Sequence, residues 1–128
     1  MSNFIQCKLD FSTRSDILHQ QLLELKERYG NPNLYITENG CACQDEMNTE
    51  GKVSDSDRKD YLRSYLRASA RAIKDGVNLK GYFAWSLLYN FEWACGFSER
   101  FGIIYVDYQT QKRTPKQSFY YLKKVFKK

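Results

Sequence analysis

Apolar and polar positions along this chain follow two periods in turn. Ile17, Leu18, Gln21, Leu22, Leu25 and Tyr29 recur at helical spacing, with Thr13, Ser15 or Asp16 placed to cap the start and Gly30 and Pro32 to close the end. A short apolar run of strand formers follows, Leu34-Tyr35-Ile36, and it ends in Thr37-Glu38 before the turn signal Asn39-Gly40. Cys41 to Val53 is polar and reads as a loop. Ser54-x-x-Asp57 predicts the cap of a long helix with a stripe of Tyr61, Leu62, Tyr65, Leu66, Ser69, Ala72 and Ile73. Arg58, Lys59, Arg63 and Arg67 fall off that stripe and are expected to face water, and Asp75-Gly76 ends the helix. Val77 to Leu87 predicts a second strand, buried on both sides, with Gly81 at a close contact or bend. Beyond a loop from Leu88 to Arg100, Phe101 to Asp107 predicts a short strand with Lys112-Arg113 as its hairpin partner. Thr114-Pro115-x-Gln117 reads as a capping box for a last helix that carries Phe119, Leu122, Val125 and Phe126 on one face. Helix, strand, helix, strand in this order predicts parallel βα units, and in such folds chemistry sits at the C-terminal ends of the strands. Glu38 stands at one of those ends.

Length and composition narrow the picture only slightly. The 128 residues can bury one real core, and a hydrophobic share of 42% with 27% charged residues excludes a disordered chain. Aromatic residues make up 16%, which fits sugar-binding faces and packed cores equally well. The net charge of +5 is scattered, apart from Lys123, Lys124, Lys127 and Lys128 on the last helix. There the cations complement the helix dipole, so neither nucleic acid nor a membrane is expected as a partner. Cys7, Cys41, Cys43 and Cys95 lack metal-clip spacing and His19 is the lone histidine, so four thiols in a reducing compartment are expected and no metal. Met1 onward shows no secretory pattern, and no run approaches the ~18 apolar residues of a membrane span, which points to the cytoplasm.

One stretch resembles something known. Tyr35-Ile36-Thr37-Glu38-Asn39-Gly40 resembles the nucleophile motif of the family 1 glycoside hydrolases, the β-glucosidase family. Gly81-Tyr82-Phe83-Ala84-Trp85-Ser86-Leu87-Leu88, Asn90-Phe91-Glu92-Trp93 and Arg100-Phe101-Gly102 resemble the same family in the same order. The resemblance runs from about Ile17 to the C-terminus. It implies an α/β fold, an incomplete (β/α)8 TIM barrel holding roughly the last two βα units plus the preceding helix. Residues 1–14 would be a divergent lead-in, without the family's usual tryptophan and Pro-x-Gly, and residues 15–128 the C-terminal part of the barrel. A whole barrel needs about 250 residues.

The resemblance also implies chemistry. Retaining glycosidases use two carboxyl groups about 5–5.5 Å apart, one as nucleophile and one as acid/base. Glu38 matches the nucleophile. Trp85 matches a platform for the sugar ring, Glu92 and Trp93 match a pair that binds sugar hydroxyls, and Phe101 matches an aromatic near the sugar pocket. No metal or organic cofactor is implied. The family's acid/base glutamate lies in an Asn-Glu-Pro motif, and this sequence contains none. The chain alone is therefore expected not to turn over, and Glu46, Glu50 and Glu99 read as exposed loop residues rather than substitutes. Tyr89 stands where the family usually has Asp, and a buried Asp lost there would take its hydrogen bonds with it. Two barrel strands cannot close, which predicts self-association or pairing with a complementary barrel half. The expected ligand is a β-glycoside or sugar. The alternative is a non-catalytic carbohydrate- or protein-binding module derived from this fold, in which Trp85 and Trp93 matter and Glu38 is dispensable.

Overall fold

The structure, a computed structural model, describes residues 11–127. Cys7, Lys128 and most of the lead-in lie outside the described residues. The elements are α1 (Phe11–Tyr29), β1 (Leu34–Asn39), α2 (Ser56–Lys74), β2 (Leu79–Ala84), β3 (Ile104–Val106), β4 (Arg113–Pro115) and α3 (Gln117–Phe126), with a turn of 3-10 helix at Trp93–Cys95. Helix α1 begins ahead of its expected caps, and Ser15 is buried inside it rather than standing at its start. Its end follows the expectation. Gly30 takes φ of 70°, and the Asn31 N–H reaches back to the Lys26 carbonyl at 2.8 Å, the left-handed closure that glycine permits. No helix among the described residues is long and apolar enough to cross a membrane.

Strands β1 and β2 pair in parallel through α2, with Leu34 opposite Leu79, Ile36 opposite Tyr82 and Asn39 opposite Ala84. One face of this pair is covered. Leu34, Ile36 and Leu79 pack with Leu18, Leu22 and Leu23 of α1, with Ala72 of α2 and with Val77. Each fully buried leucine in such a core contributes roughly 1.5–3 kcal/mol over an exposed one. The other face is open, with Tyr35 57% and Phe83 58% exposed. The second strand is thus shorter than Val77 to Leu87 and buried on one side only, because no described element covers the second side. The close contact expected at Gly81 is present: a Cβ there would stand 2.8 Å from the Tyr35 ring. The remaining strands form a separate antiparallel hairpin, Tyr105 opposite Thr114, as expected, and no barrel closes among the described residues.

Two capping expectations are corrected. Helix α2 starts at Ser56, and its N-cap is Asp55, not Ser54. The Asp55 carboxylate does not cap its own helix. It accepts the Ser118 N–H at 2.8 Å and the Ser118 hydroxyl at 2.5 Å, so it caps α3 from a distant part of the chain. Thr114 and Pro115 are accordingly free to pair in β4 and form no capping box. Arg58, expected in water, is 1% exposed. It faces inward because a set of buried acceptors, described below, takes up its donors.

Candidate functional site

The tip of β1 breaks the regular alternation of a strand. Ile36 faces the helix-side core. The Asn39 side chain accepts the Tyr82 hydroxyl at 2.6 Å, and Tyr82 lies beside Tyr65 of α2 and Tyr121 of α3, where burial pushes its hydroxyl pKa up. Ile36 and Asn39 therefore share the helix side although they are three residues apart. A period of two cannot do this without an irregularity, and the pairing register does shift between them. Asn39 takes the inward position, and Glu38 is left exposed toward the open side.

The ends of the two strands are joined. The Trp85 N–H donates to the Asn39 carbonyl at 2.8 Å, and a Cβ at Gly40 would fall 1.6 Å from the Trp85 carbonyl oxygen. Only glycine fits at 40. Trp85 is 38% exposed, and its peptide to Ser86 is cis. The carbonyls of Ser86 and Leu87 accept the N–H groups of Ile103 and Ile104 at 3.0 Å each, which fastens the hairpin to the end of β2.

Glu92 and Trp93 ride on the loop that leaves β2. The loop is pinched by the Glu92 N–H on the Gly96 carbonyl at 2.7 Å and the Cys95 N–H on the Glu92 carbonyl at 2.8 Å. Glu92 is half-buried, and its carboxylate accepts the Asn90 amide at 2.7 Å. Trp93 is 84% exposed. Phe101 closes the far end of the loop, half-buried. Glu38 and Trp85 thus stand on adjoining strand tips, with Glu92, Trp93 and Phe101 on the loop and hairpin attached to them. Glu46 and Glu50 are exposed as expected, whereas Glu99 is half-buried. A groove lined by Asn48, Lys52, Val53, Gln117 and Tyr120 lies elsewhere and includes none of the predicted residues.

Beneath the loops lies a buried charge cluster that the polar–apolar pattern does not announce. Asp45 accepts Arg58 Nη1 at 2.8 Å and Nη2 at 3.3 Å, the Tyr89 hydroxyl at 3.0 Å, and Lys116 Nζ. Arg58 also donates to Asp55 at 2.6 Å and to the Arg100 carbonyl at 2.6 Å. Lys116 is fully buried and donates to the carbonyls of Gly102 at 2.6 Å and Phe101 at 3.2 Å. Burial, helped by the Arg58 charge, brings the Lys116 pKa down to about 8. Burial works against the Arg58 charge too, yet the Asp45 hydrogen bonds and charge prevail and raise its pKa. Tyr89 is not left with lost bonds. Besides donating to Asp45, its ring carries the Arg100 guanidinium at 4.6 Å and the Lys116 ammonium at 4.5 Å.

The pattern of glycosyl hydrolase family 1 matches residues 3–128. Beta-glucosidase A of Thermotoga maritima is 54% identical over 106 residues, which is 83% of this chain and 24% of that protein. Beta-glucosidase A of Acetivibrio thermocellus is 50% identical over 86% of this chain and 25% of its own length. Beta-glucosidase 44 of Arabidopsis thaliana is 44% identical over 87% of this chain. The solved family 1 b-glucosidase from Thermotoga maritima matches with a TM-score of 0.86 at 50% identity, covering 88% of this chain and 26% of that one. That beta-glucosidase has also been solved in complex with glucoimidazole. The chain spans about a quarter of the length of these relatives. With the motifs, the strand tips and the match over almost the whole sequence in agreement, this chain belongs to glycosyl hydrolase family 1.

Proposed function

We propose that these residues are the C-terminal portion of a retaining β-glycosidase that hydrolyses O-glycosyl bonds of β-glucosides, with Glu38 as its nucleophile. The observation that carries this reading is the exposed Glu38 carboxylate at the tip of β1, on the open side of the sheet and one hydrogen-bonded residue away from Trp85. Glu38 attacks the anomeric carbon and forms a glycosyl-enzyme bond, and a second carboxyl protonates the leaving oxygen and then activates water. Trp85 offers its indole face to the sugar ring. Glu92, held by Asn90, accepts from sugar hydroxyls, Trp93 donates from Nε1, and Phe101 borders the pocket. The relatives are named β-glucosidases, and one was solved with glucoimidazole, which supports a glucoside as the sugar class. The cysteine spacing fits a reducing compartment, the cytoplasm.

The 128 residues alone do not turn over, because they hold no Asn-Glu-Pro acid/base and general acid catalysis is worth typically 10²–10⁴-fold. A polypeptide carrying the rest of the barrel completes the site by covering the open face. Release of nitrophenol from an aryl β-glucoside tests this. The chain by itself gives none, a mixture with the Asn-Glu-Pro-bearing portion of a family 1 relative gives some, and Glu38→Gln removes it. Turnover by the chain unaided overturns the reading. The exposure of Trp93 favours a second reading, a sugar-binding module without catalysis. In that case Glu38→Gln leaves calorimetric binding of glucoimidazole unchanged.

A further inference from the structure

Two thiols stand in the loop three and five residues beyond Glu38. Cys41 Sγ and Cys43 Sγ are 3.6 Å apart, and both residues are half-buried, so a small reagent can reach them. Their backbones are clamped. Arg58 Nε donates to the Cys41 carbonyl at 3.3 Å, and the Cys43 N–H donates to the Arg100 carbonyl at 3.2 Å. Arg58 is itself fixed by Asp45 and Asp55, so a permanent positive charge is held beside the pair. The Cys43 thiol pKa is drawn below its ordinary value by the hydrogen bond from Cys41 and by the Arg58 charge, against burial and the carboxylates of Asp45 and Asp57. The thiolate is the form that attacks disulfides. Among the described residues no third His, Cys, Asp or Glu joins the pair in a metal-binding group.

We propose that Cys41 and Cys43 form a reversible intramolecular disulfide, which makes the loop after Glu38 a redox-modification site for small-molecule disulfides. The Cys43 thiolate attacks one sulfur of a disulfide RSSR, forms Cys43–S–SR and expels RS⁻. Cys41 gives its proton to that thiolate, attacks the Cys43 sulfur and expels the second RS⁻, which is protonated by solvent. Two protein thiols are oxidised, one RSSR is reduced to two RSH, and the Cys41–Cys43 bond is the one formed. Closing the bond brings the sulfurs from 3.6 Å to about 2.05 Å. The ring enclosed is so short that loop closure adds little stability, and the bond is readily reduced. None of this depends on the glycosidase reading.

The test equilibrates the chain with glutathione couples of rising oxidised fraction, traps thiols by alkylation and maps the digest by mass. The peptide holding residues 41–43 is expected to lose both alkylation sites together and to become lighter by two hydrogens, with no lasting glutathione adduct. Cys41→Ser is expected to turn the product into a stable glutathione adduct on Cys43, and Cys43→Ser to slow reaction at Cys41 by about tenfold or more, as its thiolate is the attacking group. Persistent glutathione adducts on the unsubstituted pair, or oxidation confined to Cys7 and Cys95, overturn the proposal.

Discussion

Lys116 has three acceptors for its three protons: the Asp45 carboxylate and the carbonyls of Phe101 and Gly102. With a pKa of about 8 it is protonated at neutral pH, yet it releases its proton well before an unfolded lysine would near 10.5. Between those values the unfolded chain binds more protons than the folded one, so stability rises with pH. Cys43, whose pKa is lowered from 9.0, works in the same direction over its own window. The buried hydroxyls of Tyr61, Tyr82 and Tyr89 work in the opposite one. Their pKa values are raised above 10.0, so above that pH the unfolded chain loses protons that the folded one keeps, and stability falls. Urea midpoints measured at half-unit steps are expected to climb from about pH 8 and turn over above about pH 10; a flat profile would show that Lys116 titrates as a surface lysine. None of this is legible in the chain pattern. Asp45 and Lys116 are 71 positions apart, and the rule that sends charges to water placed Arg58 outside. The position of Glu38 and Trp85 at the two strand ends was legible because each lies inside a contiguous motif.

At the scale of elements, the bodies of the helices and strands follow their periodicity, while the starts of the helices do not. Periodicity is local, but the cap of α3 comes from Asp55, 63 positions before Ser118. Asp55→Ala removes that cap and leaves the buried Arg58 with one partner fewer. The first loss costs about 1 kcal/mol, and the second costs less than the roughly 3–5 kcal/mol of a fully unpaired buried charge, because Asp45 still holds Arg58. Hydrogen exchange is expected to show amide protection falling first at Ser118 and the turn after it, then across the loop that Arg58 holds. Asp55→Asn keeps an acceptor for the Ser118 N–H and is expected to spare α3 while still weakening the Arg58 contacts. Equal loss of protection in both variants would mean that the cap plays no separate part.

At the scale of the molecule the core is one-sided. Helices cover one face of the β1–β2 pair, and Tyr35, Phe83 and Leu87 remain on or beside the other. Exposed apolar area of this kind drives association. Sedimentation at tens of micromolar is expected to show self-association, and Phe83→Lys to shift the chain toward monomer without lowering its melting temperature. A sharp monomer with a cooperative melt before any substitution would mean that the open face is tolerated in water. The reading of the second strand as buried on both sides failed for a physical reason. An apolar run records the surroundings for which it was selected, and here half of those surroundings lie outside the described residues. For these 128 residues mixed with a separate barrel half, a floor without walls makes catalysis a matter of encounter. Turnover would scale with the product of the two pieces' concentrations, and dilution would extinguish it long before either piece lost its shape.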